Sequence, residues 1–170
     1  MANTYKAIAT VTVGSGGASS IDFNSIPSTY TDLLLVTSCR SNRSSSYRDL
    51  IQLRPNSSTT NLSARALTND GSSVSSGTAT VINGGMATAS SSTASTFGNS
   101  YCYIPNYAGS TNKSFSTDAT TEDNSANIYQ TLEAGLWSNT AAITSISLVP
   151  NVGTQFVQYS SATLYGIKNS

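Results

Sequence analysis

Apolar and polar residues alternate in short runs along most of the chain, with clusters of Gly, Pro, Asn and Ser between the runs. A period of two marks a strand with one covered face. The first run places Tyr5, Ala7, Ala9, Val11 and Val13 on one face, with Lys6, Thr10 and Thr12 on the other. Gly14, Ser15, Gly16 and Gly17 end it as a flexible turn. Ile21 and Phe23 predict a short second strand, which Pro27 cannot extend as a donor. Leu33, Leu34, Leu35 and Val36 are apolar on both faces, so residues 31–40 read as a central strand. Residues 47–54 alternate with Tyr47, Asp49, Ile51 and Leu53 on one side, and Leu62, Ala64 and Ala66 continue the sheet.

Residues 69–98 break the pattern, with Val74, Val81, Ile82, Met86 and Phe97 scattered among Ser, Thr, Gly and Ala. They predict long loops or weak edge strands. So long a structureless stretch is unusual in a compact domain, and contact with a neighbouring subunit is one way to order it. Strands resume at 100–104 and 112–119. Over 126–137, Ile128, Gln130, Leu132, Ala134 and Leu136 oppose Tyr129, Thr131, Glu133, Gly135 and Trp137. Helical spacing is a rival there, but no cap or charge pattern supports it. Ile146 and Leu148 mark the next strand, and residues 162–167 the last. About eight to ten strands with no convincing helix predict an all-β fold: one two-sheet sandwich over residues 1–170, with a jelly roll as the preferred wiring.

The 170-residue length fits one domain able to bury a core without a metal or disulfide. Charged residues are only 9% of the chain, against about 25% in ordinary domains. Ser and Thr fill that gap. Formal net charge is zero, so no global field draws the chain to nucleic acid or an anionic membrane. Weak self-repulsion suits a part that packs against copies of itself. No apolar run reaches the length of a membrane helix. The start of the chain lacks a secretory pattern, which predicts synthesis and retention in the cytoplasm. Cys39 and Cys102 pair only if the fold joins them; otherwise they are two small buried thiols.

Histidine is absent, which removes Ser-His-acid and Cys-His sites and the commonest metal ligand. No cofactor or metal is expected, and the chain reads as a non-enzyme. Carboxylates are the remaining catalytic option: Asp118, Glu122, Asp123 and Glu133 lie in one stretch, and a glycosidase needs two carboxyl groups across a cleft. Five of the eight cations, Arg40, Arg43, Arg48, Arg54 and Arg65, lie upstream, with only Asp49 among them. These arginines and Asp118, Glu122 and Asp123 are candidate interface residues, meeting within the domain or between subunits, or staying apart as solvated loops. Tyr101, Tyr103, Tyr107 and Trp137 are candidate glycan-stacking residues, or alternatively core and rim positions.

Four stretches carry a resemblance: residues 25–35 (SIPSTYTDLLL), 103–107 (YIPNY), 135–144 (GLWSNTAAIT) and 159–168 (YSSATLYGIK). In this order the chain resembles small virion proteins of tailed bacteriophages, notably of marine phages and cyanophages. The resemblance implies a β-sandwich used in capsid decoration or in a host-contacting fibre, and it brings no catalytic residues. No heptad or repetitive shaft is present, which favours decoration over a fibre. The expectation is a homotrimeric cement protein on the outer capsid surface of the virion, made in the host cytoplasm and partnered by the major capsid protein. The alternative is a module of a tail or head fibre that binds a host receptor or surface glycan.

Overall fold

The computed structural model describes residues 4–124 and 128–168. Twelve strands appear among them and no helix. They are β1 (Tyr5–Thr12), β2 (Ile21–Phe23), β3 (Asp32–Cys39), β4 (Arg48–Pro55), β5 (Leu62–Asn69), β6 (Val74–Ala79), β7 (Ile82–Thr88), β8 (Gly98–Ile104), β9 (Lys113–Thr121), β10 (Tyr129–Trp137), β11 (Ile146–Pro150) and β12 (Ser161–Ile167). The large sheet has the order β1-β12-β3-β8-β9-β10-β5-β6, and the small sheet β2-β11-β4-β7. Every ladder is antiparallel.

The wiring is a jelly roll. β1 pairs with β12, β2 with β11, β3 with β8 and β4 with β7, as in one long hairpin folded over on itself. β12 then joins β3, and β11 joins β4. Two inserted pairs, β5–β6 and β9–β10, add four strands to the large sheet alone. The strand count therefore exceeds the sequence expectation by two, β6 and β7, both drawn from residues 69–98.

The sandwich interior holds Ile21, Phe23, Leu33, Leu35, Ile51, Leu53, Ile104, Phe115, Trp137, Leu148, Phe156 and Leu164. The alternation of β3, β4, β8 and β9 carries through to burial. β1 departs from it. An extra residue, Ile8, bulges between Ala7 and Ala9, so Ala9 and Val11 oppose the buried Leu164 and Ala162 while Tyr5 and Ala7, opposite Ile167 and Tyr165, are themselves exposed. The bulge reverses the pleat. The expected single face from Tyr5 to Val13 is thus split in two.

β7 explains the unreadable segment. It is an edge strand of the small sheet, yet all seven residues are buried. The large sheet bends round it, and inward side chains of that sheet stand in for a missing partner strand. Ser100 Oγ accepts from Met86 N at 2.9 Å, Thr117 Oγ1 donates to Asn83 O at 2.8 Å, and Glu133 accepts from Asn83 N at 2.7 Å. A buried backbone group without a partner is costly, so these polar residues belong to the interior. Gly85 permits the approach: a Cβ there would lie 2.6 Å from Ser100 Oγ. The small residues that hid this strand from the hydrophobic pattern are what let two sheets close over it.

The remaining loop, 89–97, is ordered by its own chain. Arg40 donates to the carbonyls of Ser92, Thr93 and Thr96 at 2.9–3.1 Å. Cys39 and Cys102 are free and buried on adjacent strands, but Cys39 is opposite Gly98 and Cys102 opposite Leu35. A four-residue offset separates them by about 13 Å at the rise of a strand, beyond disulfide reach.

Candidate interaction surface

The outer face of the large sheet is left uncovered by the small sheet. The ladder registers align its side chains in rows across all eight strands. One row runs Thr10, Thr163, Val36, Tyr101, Asp118, Leu132, Leu67 and Ser76. The adjacent row runs Ala7, Tyr165, Leu34, Tyr103, Ser116, Ala134, Arg65 and Thr78. Eight strands at ordinary spacing make this face about 34 Å wide. Leu132 is 59% exposed, Tyr101 56% and Leu67 50%. An open groove of about 600 Å³ crosses the β9-β10-β5-β6 end, with Leu67 and Leu132 in it and Arg65 and Asp118 at its sides.

The exposure of leucine here follows from β10. Its inner face carries Thr131, Glu133, Gly135 and Trp137, all buried, so Leu132 and Leu136 point outward. A larger residue at Gly135 would crowd the interior, because a Cβ would lie 3.0 Å from Ile82 and 3.2 Å from Phe115. Both faces of β10 read as buriable in the sequence. The need to seat Trp137, and to bring Glu133 to β7, decides between them.

The candidate interface residues divide. Arg40 is used on the 89–97 loop, and buried Asp123 acts electrostatically on it. Arg43 donates to Arg48 O at 3.1 Å and lies 3.9 Å from Asp49. Arg48 sits 4.2 Å over the Tyr129 ring, and Arg54 donates to Gln52 at 3.0 Å. Glu122 is exposed beside β9 and accepts from Asn124 N. Arg65 and Asp118 are exposed and share the groove with one strand between them. Of the basic and acidic stretches, Asp123 thus acts on the charge of Arg40, and Arg65 and Asp118 line one groove.

The aromatic set also divides. Tyr101 and Tyr103 are exposed on the outer face, and the Tyr103 hydroxyl donates to Asp32 Oδ2 at 2.8 Å, which pushes its pKa up. Tyr107 and Trp137 are in the core, with the Tyr107 hydroxyl donating to Pro27 O. Full burial removes both from any stacking platform. Sequence reasoning missed Leu67, Leu132 and Leu136; the signal for the last two was apolar residues on both faces of β10.

The carboxylates do not converge. Asp118 faces out, while Glu133 faces in, held by Asn83 and with its pKa raised by burial. Among the described residues no three His, Cys, Asp or Glu side chains gather in a metal-binding group.

No family model matches the chain, and no curated protein matches it. Among solved structures, it is similar to a fructofuranosidase variant from Schwanniomyces occidentalis complexed with fructosylnystose, at 9% identity and a TM-score of 0.26. That alignment covers 99% of this chain, which spans 35% of the other. A TM-score so low carries no argument.

Proposed function

We propose that the protein is a bacteriophage virion structural protein: a capsid decoration protein that binds the major capsid shell from outside as a trimer. The observation that carries this reading is the outer face of the large sheet, a wide and nearly uncharged surface with leucines and tyrosines in register. Exposed leucine and tyrosine side chains among polar neighbours suit protein contact. Jelly rolls serve in viral capsid and lectin domains, so the fold agrees with the reading without deciding it. The phage resemblance of the four stretches adds the setting. Cyclic symmetry lets one small patch serve each copy. The test compares particles with and without the protein. Expected are hundreds of copies per particle and loss of thermal or osmotic robustness when it is missing. A few copies, or unchanged robustness, would contradict the proposal.

A second reading rests on Tyr101 and Tyr103, side by side on the same face. Exposed rings at alternate strand positions can stack on sugars, as in a host-binding module of a fibre. A glycan array should then give hits that Tyr101→Ala removes. An empty array and unchanged host adsorption would count against it.

A further inference from the structure

Where the large sheet bends past β7, a cavity of about 170 Å³ remains between its inner face and β4. That is the volume of roughly five or six waters, and below the ~300–1,000 Å³ of sites for drug-sized ligands. It has room for one small molecule. Apolar walls come from residues such as Ala66. Polar groups come from two sides.

On one side are Glu133 and Asn83, with 6% and 5% of their surface exposed. Glu133 Oε2 accepts from Asn83 Nδ2 at 2.7 Å, which leaves Asn83 Oδ1 buried with no hydrogen-bond partner. That oxygen calls for a donor. On the other side is Arg48, whose guanidinium lies over Tyr129 and supplies donors. An ammonium ligand would meet the charge of Arg48, and a carboxylate ligand that of Glu133. A neutral hydroxyl suits both sides, because it donates to Asn83 Oδ1 or Glu133 and accepts from Arg48. Several hydroxyls on a carbon frame also match the apolar walls. We infer that this cavity between β4, β7 and the β10-β5-β6 end of the large sheet binds one neutral sugar unit. The site lies on the opposite face of the large sheet from Tyr101 and Tyr103, and it does not depend on either reading above.

The experiment is an amide NMR titration of the intact protein with a panel of neutral hexoses and their oligosaccharides, beside ethanolamine and acetate as charged probes. Expected are saturable shifts at Asn83, Thr131 and Gly77 with at least one sugar and none with the charged probes. Binding of free hexose alone marks a small-molecule site, and binding of oligosaccharides as well marks recognition of a glycan end. Gly77→Leu should abolish the shifts; a Cβ at Gly77 meets nothing within 4 Å, and a thermal melt matching the parent's shows that the variant is folded. Glu133→Gln should weaken binding about tenfold, while Val152→Ser, at an exposed position away from the cavity, should leave it unchanged. The inference is overturned if no sugar saturates, if a charged probe saturates instead, or if Gly77→Leu binds as the parent does.

Discussion

Glu133 on β10 holds Asn83 on β7 with both carboxylate oxygens, each 2.7 Å from its donor, and so ties the large sheet to the edge of the small one. Glu133→Ala would strand a buried backbone N–H and a buried amide. The expected loss is about 3 kcal/mol of unfolding free energy, read from urea melts. Glu133→Gln keeps one acceptor and should lose less.

The same carboxyl gives a pH dependence. Burial raises the pKa of Glu133 in the folded state, so the native form binds its proton more readily than the unfolded chain. Its contribution favours folding fully below the unfolded carboxylate value of about 4.3 and is lost as pH rises through the folded pKa. The stability of the parent relative to Glu133→Gln should therefore be greatest at the acid end of that window. A difference that grows with rising pH would contradict the assignment.

Gly166 lies under the ring of Tyr30, which occupies the space a Cβ would need. Gly166→Ala should displace that ring and cost about 1–3 kcal/mol. Thermal melts would show it, and Tyr30→Ala in the same background should recover part of the loss by removing the clash.

Both cysteines are buried thiols with pKa pushed up to about 12 by burial. Neither should react with a thiol reagent in the native protein at neutral pH. Labelling should reach two per chain only after unfolding, and no disulfide should appear by mass without reductant.

Leu67 and Leu132 face solvent from adjacent strands. Their joint change to Ser should leave stability within about 0.5 kcal/mol of the parent per site, yet weaken any contact made through the outer face. Particle binding by the double variant checks this, with chemical melts as the control for folding.

Much of this fold was legible in the sequence. Period-two runs at Ile51–Leu53 and Ile146–Leu148, and the run at 33–36 apolar on both faces, predicted strands that exist, the last of them central in its sheet. β7 was legible only as the edge-strand alternative for residues 69–98, because it is built of small residues and its backbone bonds to side chains, Ser100, Thr117 and Glu133, that no periodicity reveals. The pleat of β1 was misread at Tyr5 and Ala7, since an inserted residue leaves no compositional trace. Of the candidate site, Tyr101, Tyr103, Arg65 and Asp118 do lie on one open face. Tyr107 and Trp137 do not, because residue type alone cannot separate a core ring from a surface one.

The pairing of β1 with β12 has a consequence for the timing of assembly. β1 is an edge strand whose ladder neighbour lies at the far end of the sequence, more than 150 residues away at Thr10–Thr163. During synthesis β1 is made long before β12 and must wait for it. Such distant pairing slows folding to the millisecond–second range of β-rich domains and leaves strand edges open meanwhile. Completion of the large sheet thus waits on β12, so a chain cut before Ser161 cannot present the finished outer face to a partner.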